Sequence, residues 1–176
     1  MKVMMRESGP VYFRVERVEP AELLEGGSAF AWGRGLVLRD GGDVTLVGTG
    51  VMTAVAMAAA GILQRAGISA EVLHMASIKP LDEELLASSA RKTGCVLTIE
   101  NARSAGGCGG AVAEALGRRQ PTLLDCMGLG DVAVESGPLE DLLRLCRLTP
   151  REMAARARGL MALRDRRPAA VRGGTA

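Results

Sequence analysis

Few side chains in this sequence could carry out covalent chemistry. The only histidine, His74, ends a predicted strand, and no two of the four cysteines occur at CxxC spacing (Cys95, Cys108, Cys126 and Cys146). A Ser–His or Cys–His pair would need His74, and the sequence contains no GxSxG motif around a nucleophile. One histidine and scattered cysteines do not indicate a metal site either. We therefore interpret His74 as a structural or surface residue and the cysteines as small buried hydrophobic residues.

Two glycine-containing stretches have backbone N–H groups that could bind a phosphate. The first is GTGVMT (residues 48–53), in which Thr53 stands where a dinucleotide fingerprint has its third glycine. The following strand ends in His74 and Met75, not in an acidic residue for a ribose hydroxyl, so a nicotinamide site is not indicated. No GxxxxGKS/T sequence occurs, which excludes P-loop chemistry.

The second stretch is the glycine-dense segment NARSAGGCGG (residues 101–110), which follows Glu100. In one interpretation, backbone N–H groups at the start of the next helix hold a phosphate. In the other, Glu100 and the glycines form a tight structural loop of the kind found at subunit interfaces (Gly106, Gly107, Gly109 and Gly110). No lysine lies nearby to complete a phosphate site, so the sequence favours the structural interpretation.

Two arginines lie in or just after a predicted strand near the N-terminus. Arg14 is within the strand VYFRV (residues 11–15), and Arg17 lies just past its end. Strand ends face ligand crevices in α/β proteins, and a guanidinium binds phosphate through parallel hydrogen bonds. Residue chemistry alone therefore suggests either arginine as a phosphate ligand, and a solvated surface charge is the commoner outcome for such residues.

The elements that must position these residues follow from hydrophobic periodicity. Residues 43–67 predict a central strand, a Gly-Thr-Gly turn and an apolar helix that stops at Gly67. Further strands are predicted at 68–74, 95–100 and 121–127, with helices between them and a last helix that starts with a capping box at Thr149. This alternation predicts an α/β fold, a three-layer sandwich with a mostly parallel sheet of about five strands. The stray strand at 11–15 should belong to a sheet built mostly by another domain.

The composition along the chain predicts where the domain begins and ends and which classes of partner are not expected. We expect a stray-strand segment at 1–18, a Gly-rich linker at 19–38, one folded domain at 39–164 and a basic, disordered tail at 165–176. The 22 basic and 20 acidic residues are mixed along the chain, and aromatic residues make up 2%, so no nucleic acid is expected as a partner. The sequence contains no apolar run of membrane length, and its scattered thiols suit a reducing compartment, which predicts a cytoplasmic protein.

Five motifs occur in an order and spacing similar to those of a known enzyme family. They are GPVYFRVER (9–17), DVTLVGTGVMTAVAMAAAGIL (43–63), IKPLDEELL (78–86), TIENARSAGGCGGAVAEAL (98–116) and GLGDVAVESGPLEDLLRLCRLT (128–149). Over residues 9–163 the chain resembles the C-terminal region of transketolase-like thiamine diphosphate enzymes. The likeness is greatest to the C-terminal half of a split transketolase.

The resemblance implies a function for the assembled enzyme and a role for Arg17. GPVYFRVER corresponds to the last strand of the family's pyrimidine-binding domain, and Arg17 to the arginine that reaches the phosphate of the sugar substrate. The implied reaction is transfer of a two-carbon ketol unit between sugars, sugar phosphates or related carbonyl compounds, with thiamine diphosphate and Mg in the assembled complex. The family's catalytic glutamate and cofactor ligands lie in other regions, so this chain should bind no cofactor and have no activity alone. The implied partners are subunits that carry the N-terminal and pyrimidine-binding domains, in a dimer or hetero-oligomer.

The sequence also departs from the split-transketolase pattern. Split-type members usually carry a histidine near Ala102, a Phe-Gly pair near Ala133 and Val134, and a glycine near Arg147. The different residues at these positions in this sequence suggest a specialised or degenerate relative. Two other functions stay open. One is the corresponding part of a 2-oxo acid dehydrogenase beta subunit, and the other is a non-catalytic scaffold or dimerisation module.

Overall fold

A five-stranded sheet forms the centre of the computed structural model, which describes residues 3–16, 30–131 and 135–166. The strands are β1 (Leu36–Arg39), β2 (Val44–Gly48), β3 (Ala70–His74), β4 (Cys95–Arg103) and β5 (Leu123–Leu129). Their order across the sheet is β1-β3-β2-β4-β5. The β1 strand pairs antiparallel with β3, and the other neighbouring strands are parallel. This mostly parallel sheet confirms the predicted fold class.

Helices cover both faces of the sheet. They are α1 (Met52–Arg65), α2 (Glu83–Thr93), α3 (Cys108–Arg119), α4 (Leu139–Leu145) and α5 (Pro150–Asp165), and a short 3-10 helix (Met4–Arg6) lies near the N-terminus. Helices α1 and α5 pack on one face around Leu46 and Leu97, and α2 and α3 pack on the other around Val47 and Val96. The central strand β2 is buried along its whole length, because it has helices on both sides.

The helix ends follow local sequence signals. The Asp82 carboxylate accepts a hydrogen bond from the Leu85 N–H at 3.1 Å and so caps α2. Gly94 ends that helix in the left-handed conformation, with φ of 71°. The Thr149 hydroxyl accepts from the Glu152 N–H at 3.3 Å, which confirms the predicted start of α5.

Three features differ from the expected elements. The sheet begins at Leu36, inside the segment 19–38 that was expected to be linker, because β1 gains its hydrogen bonds from β3. Strand β4 continues past Glu100 to Arg103, which pairs with Leu129, and α3 begins at Cys108, so segment 101–110 is not one loop. Residues 10–16 form no strand, and their pairing with a sheet of another domain stays a prediction. The expected disorder at 167–176 and the stretch 17–29 lie outside the described residues.

Candidate functional site

Glu100 closes the N-terminus of helix α3. Its side chain is 2% exposed, and its two carboxylate oxygens accept hydrogen bonds from the N–H groups of Cys108 and Gly109, each at 2.8 Å. The N-cap residue is Gly107, which has no side chain for this purpose. The carboxylate therefore supplies both the acceptors and the negative charge that a helix start needs. These two N–H groups already have an anion from the same chain, so the phosphate-cradle interpretation of this loop is wrong for them.

The glycines around Glu100 are required by close packing and by backbone conformation. A Cβ atom on Gly107 would overlap the Glu100 carboxylate. A Cβ atom on Gly109 would lie 2.9 Å from Cys126 Sγ and 3.0 Å from the Thr98 hydroxyl. Gly106 has φ of 76°, in the region that favours glycine. The structure thus explains these residues within one chain, and their part in a subunit interface stays a prediction.

Asn101 holds the N-terminal segment at the end of β4. Its Nδ2 donates to Glu16 Oε1 at 3.0 Å, and its backbone carbonyl accepts from Arg14 Nη2 at 3.2 Å. Arg14 Nη2 also lies 3.2 Å from Glu16 Oε1. We call the three residues Arg14, Glu16 and Asn101 the clasp. Arg17 lies outside the described residues, so its role as a phosphate ligand stays a prediction.

Sequence reasoning did not single out Asn101 or Glu16. The available signal was modest: Asn101 is the only asparagine of the chain, and it directly follows the buried Glu100. The clasp joins residues that are 85 positions apart, and no local pattern reports such a contact.

His74 lies beside a helix start and not beside an accessible nucleophile. Its Nδ1 is 2.8 Å from the hydroxyl oxygen of Thr53, in the first turn of α1. Burial lowers the pKa of His74, so the neutral imidazole is favoured. The Thr53 side chain is 1% exposed, and a substrate could not reach its hydroxyl. The pair ties the end of β3 to α1, in agreement with a structural histidine.

Three of the four cysteine thiols, those of Cys95, Cys108 and Cys126, are poor nucleophiles in this fold. Burial raises the pKa of Cys95 to about 11 and that of Cys108 to about 12, and it also raises the pKa of Cys126. These thiols are therefore protonated at neutral pH. Across residues 3–16, 30–131 and 135–166, no group of three or more His, Cys, Asp or Glu side chains is placed to hold a metal ion. The described helices also include none of the length and apolar character needed to cross a membrane.

A second buried carboxylate, Glu71, also serves the fold. It is 2% exposed, and it accepts hydrogen bonds from Lys92 Nζ at 2.6 Å and from the Thr45 hydroxyl at 2.9 Å. Lys92 also donates to Asp40 at 2.7 Å, and these hydrogen bonds raise the pKa of Lys92. This network ties α2 to strands β2 and β3 and leaves no free carboxylate for catalysis there.

The fold and these contacts define a class of protein. It is an α/β sandwich with a mostly parallel sheet, in which the buried carboxylates of Glu71 and Glu100 and the contact between His74 and Thr53 tie helices to strands. Residues 33–153 match the family described as transketolase, C-terminal domain. The chain belongs to that family.

Two relatives and one solved structure show which kinds of transketolase-type protein this chain is similar to. The 6-deoxy-6-sulfo-D-fructose transketolase subunit SqwH of Clostridium sp. (strain MSTE9) is 41% identical over 154 residues, which cover 88% of this chain and 48% of that protein. The 1-deoxy-D-xylulose-5-phosphate synthase of Synechococcus sp. (strain WH7803) is 36% identical over 163 residues, which cover 89% of this chain and 25% of that protein. A solved structure described as "split gene transketolase, inactive beta4 tetramer" has a TM-score of 0.89 at 43% identity, covering 93% of this chain and 54% of that one. The chain thus spans about half the length of the SqwH subunit.

Proposed function

We propose that this chain is the C-terminal component of a thiamine-diphosphate-dependent transketolase-type enzyme, which transfers a two-carbon ketol unit between sugar or sugar-phosphate substrates. The observation that carries the proposal is the likeness to the split-gene transketolase structure, with a TM-score of 0.89 over 93% of the chain. The similarity to the SqwH transketolase subunit, at 41% identity, points to the same reaction class.

In this proposal the chain supports an active site that is completed by partner chains. Partner subunits that carry the N-terminal and pyrimidine-binding regions supply the sites for thiamine diphosphate and Mg, and the cofactor supplies the carbanion chemistry. This chain supplies Arg17 to the substrate's phosphate and a rigid domain behind it. Glu100 and the glycines at the start of α3 (Gly106, Gly107 and Gly109) lie at a subunit interface of a dimer or hetero-oligomer. The cytoplasmic location expected from the thiols also stays a prediction.

The test is reconstitution with the genomic neighbours of this chain. Ketol transfer is measured with thiamine diphosphate and Mg, first for this chain alone and then for the co-expressed complex. We expect activity only in the complex. A complex that contains a lipoyl-bearing acyltransferase would instead indicate a 2-oxo acid dehydrogenase, and a chain that purifies without any thiamine-binding partner would indicate a scaffold.

The same complex tests the site residue. Arg17→Ala removes a charged hydrogen bond worth about 1.5–3 kcal/mol, so we expect the KM for a phosphorylated acceptor to rise about 10- to 100-fold. The control is Arg144→Ala, because Arg144 is 68% exposed on α4. An unchanged KM in Arg17→Ala would contradict the assignment of Arg17.

A further inference from the structure

We propose that one side of helix α1 is a contact surface for a second copy of this chain. We call this side the outer face, and its members are Val51, Ala54, Val55, Ala58, Gly61 and Ile62. The two α1 helices meet antiparallel, with Ala58 of one copy against Ala58 of the other. The contact goes beyond the proposed function, because it requires neither the reaction nor a cofactor-binding subunit.

Helix α1 is apolar on all sides although the fold of one chain covers only part of it. Residues 51–63 contain no charged side chain. Side chains that point into the core are fully buried, among them Met52, Ala56 and Leu63. On the outer face, Ala58 is exposed and the other five members are half-buried. A helix that is hydrophobic all round is normally buried all round, so α1 is incompletely covered in the single chain.

The outer face is one continuous strip. At 3.6 residues per turn, its members all lie within about 60° of Ala58 around the helix axis. The helices on the opposite side of the sheet differ, because their exposed positions include charged side chains (Glu84, Arg91, Glu114 and Arg118). Contiguous apolar surface of this kind marks interaction sites, whereas scattered apolar side chains do not.

The sizes of the outer-face residues suit a second α1 helix. Ala54, Ala58 and Gly61 extend no further than a methyl group, which allows two helix axes to approach to the lower end of their usual spacing of about 8–10 Å. The space beside Gly61 is open, since the nearest atom to a Cβ placed there is Arg65 Nη1 at 4.0 Å. In an antiparallel pair, Ala54 lies against Gly61 of the partner subunit, and Val55 lies against the partner subunit's Ile62. Small residues thus meet on one side of the pair and branched residues on the other.

The distribution of charge favours a second copy in the antiparallel orientation. Arg65 is the only charged residue of α1. At 1.5 Å per residue it lies about 10 Å from Ala58 along the axis, so an antiparallel pair keeps the two guanidinium groups about 20 Å apart. A parallel pair would bring them together and align the two helix dipoles, which is unfavourable. An occupant with a charged surface would lose hydration against this face and gain no partner.

This contact is separate from the subunit interface proposed above. Helix α3, whose first turn belongs to that interface, packs on the other side of the sheet from α1. A chain that uses both surfaces can therefore join two assemblies through α1 without displacing any contact at α3.

The first test is sedimentation velocity of the full chain over a range of concentrations. Because one helix pair is a small interface, we expect a dissociation constant on the order of 10–100 µM and a doubling of the particle mass across that range. Ala58→Glu places two carboxylates at the centre of the contact and should weaken the association about tenfold or more. The control is Ser88→Glu, which adds the same charge at an exposed position of α2 and should associate like the wild type. A wild type that keeps one mass throughout, or a control as weak as Ala58→Glu, would overturn the proposal.

The second test is disulfide cross-linking, which does not depend on the folding of Ala58→Glu. With copper phenanthroline as oxidant, Ala58→Cys should form a disulfide between two copies through position 58, detected by mass spectrometry of the linked peptides. Ala54→Cys mixed with Gly61→Cys should also link. Ala54→Cys alone should not, because its two copies lie about 12 Å apart along the axis. No link through position 58, or a link of Ala54→Cys to itself, would overturn the antiparallel contact.

The remaining outcomes separate this contact from the proposed function. If the wild type does not self-associate but binds a thiamine-binding subunit, and Ala58→Glu abolishes that binding, a different chain covers the outer face and the second copy is refuted. If the chain self-associates as expected but no complex transfers a ketol unit, the proposed function is refuted and the contact stands.

Discussion

Replacing Glu100 by glutamine tests whether a buried carboxylate holds the start of helix α3. The glutamine side chain has nearly the same shape, so packing is preserved. It keeps one oxygen acceptor, but its NH₂ group now faces one of the two N–H donors of Cys108 and Gly109. The variant therefore removes one charged hydrogen bond and the favourable charge at the helix start.

The expected decrease in the free energy of unfolding is the sum of two contributions, the charged hydrogen bond and the negative charge at the helix start. A hydrogen bond to a charged group contributes about 1.5–3 kcal/mol. A negative charge at a helix N-terminus contributes a further ~0.3–1 kcal/mol. Together they predict that the free energy of unfolding falls by about 2–4 kcal/mol, against a total of about 5–15 kcal/mol for a typical domain. The variant should therefore still fold. Glu100→Ala should lose more, because it leaves two buried N–H groups without an acceptor.

The assay is urea unfolding followed by circular dichroism, with the slope m compared between variants to confirm that the same surface is exposed. The control is Glu114→Gln on the same helix, whose side chain is 78% exposed and which should change the free energy of unfolding by less than about 0.5 kcal/mol. A Glu100→Gln variant as stable as this control would refute the role assigned to the carboxylate.

Three further predictions follow from the same structure. In urea unfolding, Gly107→Ala should lose about 2–4 kcal/mol by displacing Glu100, whereas Gly110→Ala, whose nearest neighbouring atom is 4.0 Å away, should be neutral or gain up to about 1 kcal/mol; equal effects would contradict the packing. Arg147 has φ of 57°, so thermal melting should show Arg147→Gly to be more stable than Arg147→Ala by about 1 kcal/mol, and no difference would contradict the left-handed backbone. Burial lowers the pKa of His74 in the folded state. Below the pKa of about 6.5 that His74 has in the unfolded chain, the unfolded state therefore binds more protons, and the free energy of unfolding should decrease as the pH is lowered. In unfolding curves between pH 7 and 5, His74→Gln should lose less stability than the wild type, and parallel losses would refute this contribution.

The strands, helices and helix ends were largely predictable from the sequence. The β-branched run at β2, the N-cap Asp82 and the glycines that end α1 and α2 each act over a few residues, so the sequence shows them directly. The short strand β1 was missed because its four residues have no periodic signal of their own and gain hydrogen bonds only from β3. The extension of β4 to Arg103 was missed for the same reason, since it depends on pairing with β5.

Part of the candidate site was likewise predictable from the sequence, and part became visible only in the tertiary structure. The sequence determined that Glu100 precedes a glycine-rich helix start, and it favoured a structural interpretation of that stretch over a phosphate site. Only the tertiary structure showed that the acceptor for those N–H groups is Glu100 itself, because a strand and the following helix must pack before the carboxylate reaches them. The contact between Glu16 and Asn101 could not be predicted from local sequence at all. The two side chains are 85 positions apart, so their pairing depends on which surfaces the folded domain brings together.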